Sequence, residues 1–339
     1  MHRSLDLAKM ARAVATVAIL FALGAGLTFA LYKAPTYPEL KEGELMLSSR
    51  HWDEAESWFY KFIKKNPEHA EALRKLGLIE LRRPGGDVVR AQKYLERAVK
   101  IEADNPIGLF LLAKADEVGS RREDAKRIYD QLVEMGPGKD NPPQAAAVHL
   151  ARFNRGLFAV LDGENALARD LFGQVLQREP QQAYATWEMC LLALDEKKYE
   201  EAIEWGEKAV RNVSLWAPSE AWPYPQGRYG YIRENSRLAL AKAYLAAGKA
   251  EKVKELLGPI VERVKRRTKV RRGLAKPQPK SPLEGKPDLR FENAPFYYAE
   301  ALAALGEKKE AKKAFKAFSR QVVGDHDLQS KARSRAKEL

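Results

Sequence analysis

The stretch from Arg152 to Pro180, RFNRGLFAVLDGENALARDLFGQVLQREP, is typical of two antiparallel helices joined by the turn Asp-Gly-Glu-Asn. Two such helices pack closely only where small residues let the backbones approach, and Gly156 and Ala168 provide this on the first and second helix. Phe172 fills the space that the approach leaves. Pro180 ends the second helix, because proline has no amide proton and disfavours helix in the preceding residue.

The same spacing occurs three times. From Gly156 the offsets are 12 to Ala168, 16 to Phe172 and 24 to Pro180. Two other sets keep these offsets: Gly43, Ala55, Phe59 and Pro67, and Ala113, Ala125, Tyr129 and Pro137. The pattern resembles the tetratricopeptide repeat, a helix-turn-helix unit of 34 residues.

This resemblance covers about residues 37 to 325 and implies an all-α fold in which helix pairs stack as a solenoid, since one pair cannot bury its apolar face alone. We predict an N-terminal transmembrane helix followed by about seven such pairs. The predicted boundaries are: cytoplasmic N-terminus 1–12, transmembrane anchor 13–32, spacer 33–36, repeats 1–6 over 37–264 with an aromatic insertion at 214–232, basic proline-rich loop 265–293, repeat 7 over 294–325, and basic tail 326–339.

Residues 13–32 contain no charged side chain, and about 20 apolar residues suffice for a helix to cross a bilayer. Three cations precede this run, Arg3, Lys9 and Arg12, and only Lys33 directly follows it. The positive-inside rule therefore predicts a single-pass protein of the inner membrane with its N-terminus in the cytoplasm and its repeats on the periplasmic side. A cleaved secretory signal ending near Ala30 is the competing interpretation.

The net charge of +13 is concentrated in the anchor flank, the basic loop and the tail. Residues 265–290 hold ten basic residues against two acidic ones, and residues 307–339 hold ten against five. The single cysteine, Cys190, excludes an internal disulfide and occupies a small-residue position of the fifth repeat, where we expect it to pack in the core.

No catalytic constellation is recognisable in the sequence. The five histidines do not pair at metal-ligand spacing, and there is no Walker loop, dinucleotide-binding glycine pattern or nucleophile elbow. We therefore predict that the chain is not an enzyme and has no cofactor, no metal site and no small-molecule substrate.

In this repeat family the first helices line the concave face of the superhelix and commonly hold a segment of a partner. The resemblance therefore predicts a partner-binding groove on those helices, with an apolar and aromatic character in the middle repeats. The predicted groove residues are Phe110, Phe153, Leu157, Tyr184, Trp187, Leu191, Leu194 and Leu238. Exposed rows of this kind usually mark a binding surface or a covered one.

The groove has two interpretations. The cytosolic co-chaperones of the family bind a terminal carboxylate with Lys, Arg and Asn, but apolar residues occupy those positions here, which favours an apolar helix or strand of a partner protein. Alternatively, the aromatic insertion fills the groove. We predict a membrane-anchored scaffold or adaptor that binds a partner protein of an envelope complex.

The basic loop supports a different function. Its cations could bind nucleic acid or anionic lipid headgroups, and a periplasmic location makes nucleic acid the weaker partner. The residues that would do so are Lys265, Arg266, Arg267, Lys269, Arg271 and Arg272. A solvated loop without function is the simplest alternative.

Overall fold

The computed structural model describes residues 37–136, 142–215, 232–271, 293–321 and 325–339. Within these ranges the chain forms helices and no strand, which confirms the all-α fold class. The helices are α1 Pro38–Ser48, α2 Trp52–Lys65, α3 Ala70–Arg82, α4 Val88–Ile101, α5 Pro106–Val118, α6 Arg122–Glu134, α7 Pro142–Leu161, α8 Asn165–Arg178, α9 Ala183–Asp195, α10 Tyr199–Leu215, α11 Ile232–Ala246, α12 Ala250–Arg271, α13 Ala294–Ala304, α14 Lys308–Phe318 and α15 His326–Glu338.

The described helices form seven consecutive pairs, from α1 with α2 to α13 with α14, followed by the unpaired α15. They belong to two compact units. The first unit ends at Asp104 and contains α1 to α4, with Phe59, Phe62 and Leu73 in its core. The second unit begins at Asn105 and contains α5 to α15.

Close helix crossings occur where the repeat pattern places a small residue. A Cβ atom at position 156 would lie 2.7 Å from Cε1 of Phe172, and one at position 43 would lie 2.9 Å from Cζ of Phe59. Contacts this short mean that only glycine fits at these positions, because both rings are fully buried. The spacing of glycine and aromatic residue in the sequence therefore identifies two residues that are in contact between the paired helices.

The turn inside each pair contains one residue in the left-handed backbone region. Gly163, Gly248 and Gly306 have φ values of 75°, 72° and 79°. Lys197 occupies the equivalent turn with φ 58°, although its side chain makes this conformation unfavourable. The turn geometry is therefore kept even where the sequence does not supply glycine.

The fifth repeat shows how the pattern tolerates change. Gly206 stands where the first, third, fourth and seventh repeats have an aromatic residue. Leu240 of the next first helix occupies the vacated space, with its Cδ1 3.0 Å from a Cβ built at Gly206. The Sγ of Cys190 lies 3.3 Å from the same point. Cys190 is fully buried, as expected for a core residue.

Some predicted boundaries differ from the helices observed. Helix α12 continues to Arg271, seven residues into the segment that we assigned to the basic loop, because a predominantly polar sequence can extend an existing helix. Residues 214, 215 and 232, at the edges of the aromatic insertion, are helical. The segment assigned to a basic tail forms α15, which buries Ala332 and Ala336 against Phe315.

The predicted membrane anchor, residues 13–32, lies outside the described residues. In the described part of the chain, no helix combines the length and the apolar character that a membrane crossing requires.

Candidate functional site

The predicted groove residues fall into two groups. The aromatic ones, Phe110, Phe153, Tyr184 and Trp187, are at most 5% exposed. The leucines, Leu157, Leu191, Leu194 and Leu238, are partly exposed and pack against the core from outside. The expectation of a water-exposed aromatic row is therefore wrong for the four aromatic residues.

Ring contacts within the core explain this burial. The Phe153 ring lies 5.7 Å from the ring of Phe172 on α8 and 6.4 Å from that of Tyr184 on α9. The Phe110 ring lies 6.1 Å from that of Tyr129 on α6. Desolvation raises the pKa of the Tyr184 phenol to about 12. These rings join consecutive helices and so stabilise the stack.

Three predicted groove residues meet at a cavity in the second unit. The cavity has a volume of about 330 Å³ and is bounded by the first helices α9, α11 and α13 together with α15. Its lining residues are Trp187, Leu191, Asn235, Leu238, Ala239, Lys242, Asn293, Tyr297, Asp325 and Leu328. We call this the inner cavity.

Helical spacing brings these side chains to one face. On α9, Trp187 and Leu191 are four residues apart and therefore neighbours along the helix. On α11, Asn235, Leu238 and Lys242 recur at intervals of three and four residues for the same reason. The cavity therefore has apolar walls on two adjacent first helices and polar groups at intervals along one of them.

The charged groups of the inner cavity have different surroundings. Lys242 is exposed, and its Nζ lies 5.4 Å from the centroid of the Tyr297 ring, within cation–π range. No carboxylate of the described residues lies within ion-pair distance of Lys242. Asp325 caps α15, since its side chain accepts hydrogen bonds from the backbone N–H groups of Asp327 and Leu328 at 2.9 and 3.2 Å.

A further hydrogen bond fixes the side of the cavity formed by the last helix. The backbone N–H of Asp325 donates to Oδ1 of Asn293, the residue that precedes α13, at 3.2 Å. Arg335 on α15 pairs with Glu300 on α13 at 3.0 Å. These contacts hold α15 against α13, so that α15 forms one wall of the cavity.

The end of the chain was predicted to be a basic tail that either caps the last repeat pair or frays, and the structure shows the cap as a regular helix. The sequence contains a signal for the start of this helix. Asp325 is a favourable N-cap residue, and Leu328, Ala332 and Ala336 follow at helical spacing, which together predict an amphipathic helix.

The basic residues of the alternative function lie elsewhere. Lys265, Arg266, Arg267, Lys269 and Arg271 belong to the last turns of α12. Lys265 pairs with Glu262 at 2.7 Å. Arg272 lies outside the described residues.

Arg169 forms a group of ion pairs that join three parts of the second unit. Arg169 on α8 binds Glu196 through Nε and Nη2 at 3.0 and 2.9 Å and also pairs with Glu201 at 2.5 Å. Hydrogen bonds from Arg169 and Lys198 lower the pKa of Glu196 to about 2. This arrangement ties α8 to the turn after α9 and to α10. In the described ranges, no three His, Cys, Asp or Glu side chains are placed to hold a metal ion.

Comparison with known proteins agrees with the repeat geometry. A family model described as tetratricopeptide repeat matches residues 40–106 and 159–215, which include the Gly43/Phe59 and Ala168/Phe172 positions. These two segments are tetratricopeptide-repeat sequences. The first unit and the α8–α10 part of the second thus carry the family pattern in sequence as well as in structure.

Solved structures share the fold. A tetratricopeptide repeat protein from Parabacteroides merdae is 14% identical, with a TM-score of 0.50 over 88% of this chain and 97% of its own. PilW, a type IV pilus biogenesis factor, is also 14% identical, with a TM-score of 0.52 over 70% of this chain and 97% of its own. No curated protein sequence matches the chain significantly. At these identities the likeness concerns the fold alone.

Proposed function

We propose that this tetratricopeptide-repeat protein is a scaffold that holds a segment of a partner protein in the inner cavity. The observation that carries the proposal is the convergence of Trp187, Leu191 and Leu238 with α15 around an open cavity of about 330 Å³. Repeat proteins use the surface formed by successive repeats to bind partners. The inner cavity is such a surface in the second unit.

The composition of the cavity favours a peptide segment that presents apolar side chains. Leu191, Leu238 and Leu328 offer apolar contact, and Asn293 and Lys242 supply polar groups beside it. Side-chain amides can both donate to and accept from a peptide backbone. A volume at the lower end of the range for ligand sites fits a few side chains of a larger partner.

We further propose that residues 13–32 anchor the chain in the inner membrane, with the repeats on the periplasmic side. The support is the uncharged run with three cations before it and one directly after. A scaffold tethered there would meet proteins of an envelope complex. The likeness to a pilus biogenesis factor is one of fold and leaves the partner's identity open.

We propose a non-enzymatic role. Polar clusters such as Arg169 with Glu196 and Glu201 are ion pairs that join neighbouring helices. The polar groups of the inner cavity include no nucleophile paired with a base. Binding is therefore the activity that its residues support.

The alternative function is binding of nucleic acid or anionic lipid through residues 265–290. Part of the positive charge of this segment has a structural explanation. Five of the cations fall within α12, and Lys269 and Arg271 belong to its last turn, where the helix dipole favours positive charge. Their position thus has a cause that requires no ligand, and the inner cavity remains the favoured site.

Site-specific photo-crosslinking tests the proposal. A photoreactive residue in place of Leu238 in the full-length chain should yield a discrete adduct with a partner in detergent-solubilised membranes. The matched control is the same residue in place of Leu167 on α8, which is 37% exposed and away from the cavity. The adduct from position 238 should disappear when Leu191 is changed to Glu. The same adduct from both positions, or one that survives Leu191→Glu, would refute a role for the cavity.

A further inference from the structure

The outer surface of α14 carries a stripe of lysines that the proposed function does not use. Between Lys308 and Phe318 the helix has five lysines and one glutamate. Lys309, Lys313 and Lys316 follow at intervals of four and three residues, so they share one face, and all three are exposed. We call these three residues the lysine stripe. Lys308 is also exposed, and Lys312 is partly so.

The lysine stripe is not neutralised by the protein. None of the five lysines of α14 has a carboxylate within ion-pair distance in the described ranges, whereas some other lysines do. Lys126 pairs with Asp162 at 2.6 Å, Lys254 with Glu307 at 2.7 Å and Lys249 with Glu200 at 2.5 Å. Five lysines without such a partner in one helix of eleven residues therefore give α14 a local concentration of positive charge.

This arrangement opposes helix stability. Lys308 and Lys309 lie in the first turn of α14, where the helix dipole disfavours cations. Lys309 and Lys313 form a like-charge pair at a spacing of four residues, and Lys312 and Lys316 form another, which is unfavourable by itself. A polyanionic surface facing the stripe would relieve both effects.

The chemistry of the face favours a lipid surface as that polyanion. The aromatic residues of α14, Phe315 and Phe318, are fully buried, so the outer face offers no ring on which bases of single-stranded nucleic acid could stack. Lysines on flexible stems suit a diffuse layer of headgroups, because each acts as a point charge without fixed geometry. Lys309 to Lys316 span about 10 Å along the helix axis, enough to meet several headgroups at once.

We infer that the lysine stripe of α14 binds the surface of a bilayer containing anionic phospholipid. The choice of a bilayer over other polyanions rests on the proposed anchor at residues 13–32, which would keep the second unit near a membrane. The contact is electrostatic and peripheral, because α14 exposes no large apolar side chain that could insert: Phe315 and Phe318 belong to the core.

The full-length chain allows a direct test. Ala317 is exposed on α14, and an Ala317→Cys substitution provides a site for a fluorescent donor. The native Cys190 should not react, because it is fully buried and desolvation raises the pKa of its thiol to about 12. Energy transfer to a headgroup-labelled acceptor is then measured with vesicles of phosphatidylcholine, with and without phosphatidylglycerol, and flotation with the vesicles is recorded in parallel.

We expect energy transfer at least about twofold higher with phosphatidylglycerol, and loss of that increase at high salt, since exposed charges are screened within about 10 Å at 0.1 M salt. The variant with Lys309, Lys313 and Lys316 changed to Gln should lose the increase. The matched control removes the same charge from the first unit by changing Lys41, Lys93 and Lys100 to Gln, which are exposed, and should keep it.

The outcomes separate this inference from the proposed anchor. Flotation on pure phosphatidylcholine reports the anchor, and the phosphatidylglycerol-dependent increase reports the stripe. Equal energy transfer in the stripe variant and the parent would overturn the inference, whether or not the chain floats. A donor response to duplex DNA without a response to phosphatidylglycerol would also overturn it and assign the stripe to nucleic acid.

Discussion

Gly156 on α7 and Phe172 on α8 touch so closely that a Cβ atom at residue 156 would lie 2.7 Å from Cε1 of the ring. Phe172 is fully buried, and the centroid of the Phe153 ring lies 5.7 Å from that of Phe172. The ring therefore cannot move aside without disturbing a second aromatic contact. This pair sets the distance between the two helices of the fourth repeat.

Replacing Gly156 by Ala should therefore destabilise the protein, although alanine normally favours a helix over glycine. Overpacking of a dense core costs about 1–3 kcal/mol, which exceeds the gain of about 0.5–1 kcal/mol from removing a helical glycine. Denaturant unfolding followed by far-UV circular dichroism measures the change.

Gly173 provides the matched control on the neighbouring helix. A Cβ atom there would have no heavy atom within 4 Å, so Gly173→Ala should raise stability by about 0.5–1 kcal/mol. Opposite signs for two glycines in one repeat would support the close-packing argument. If Gly156→Ala were also stabilising, the helices could separate freely and the argument would fail.

The turn residues give a second prediction. Lys197 adopts φ 58° at the position that Gly163 occupies in the preceding repeat with φ 75°. A left-handed conformation costs an ordinary residue about 1–2 kcal/mol, and glycine adopts it without strain. Lys197→Gly should therefore stabilise the second unit by up to about 1 kcal/mol after the greater entropy of the unfolded glycine chain is counted.

The reciprocal change, Gly163→Ala, should destabilise by a similar amount, because it imposes the strain that Lys197 now bears. Both variants are compared with the parent by thermal unfolding. Loss of stability in Lys197→Gly would mean that the lysine side chain makes a contact in this turn that outweighs the backbone strain.

The sequence predicted the repeats well because each repeat depends on a few contacts at fixed spacing. The offsets from Gly156 to Ala168 and Phe172 describe a helix crossing, so the three sets that keep them fall on the first, third and fourth helix pairs. They could not predict that Leu240 replaces a missing aromatic at Gly206, since that contact joins different repeats at no constant spacing. A residue that departs from the repeat pattern is therefore compensated by a side chain that is near in space but not at a fixed distance along the chain.

The candidate site was predicted less completely for a related reason. The repeat pattern indicates which face of a first helix a residue occupies, but the depth of a side chain depends on its neighbours. Phe153 and Leu191 were assigned to one groove, yet Phe153 is 3% exposed within a ring cluster and Leu191 lies at the inner cavity. Leu328 and Asp325 belong to α15, beyond the last repeat, where the template no longer applies.

The ion pairs of Arg169 predict a dependence of stability on pH. Arg169 and Lys198 lower the pKa of Glu196 from the ordinary value of 4.5 to about 2, and Arg169 also lowers the pKa of Glu201. A carboxyl group with a depressed folded-state pKa contributes stability above its unfolded pKa and loses it as the pH falls through the folded value. Stability should therefore decline from about pH 4.5 toward pH 2.

Arg169→Gln should lower stability at neutral pH and flatten the decline below pH 4.5, because the carboxyl groups then titrate nearer to their unfolded values. The control is Arg333→Gln on α15, which removes an exposed guanidinium. Unfolding free energies at several pH values provide the measurement. An unchanged acid slope in Arg169→Gln would show that other carboxylates cause the decline.

The last prediction separates core residues from binding residues within the predicted groove. Phe153→Ala should destabilise the fold by about 3–5 kcal/mol, because it removes a buried ring from contact with Phe172 and Tyr184.

Lys242→Glu should leave stability nearly unchanged, since Lys242 is exposed and has no ion-pair partner among the described residues. It should nevertheless abolish the adduct formed from position 238, because a negative charge at the inner cavity repels the group of the partner that the native lysine attracts. Lys208→Glu on α10 serves as the charge-matched control. Loss of the adduct with Lys208→Glu as well would trace the effect to net charge and not to the inner cavity.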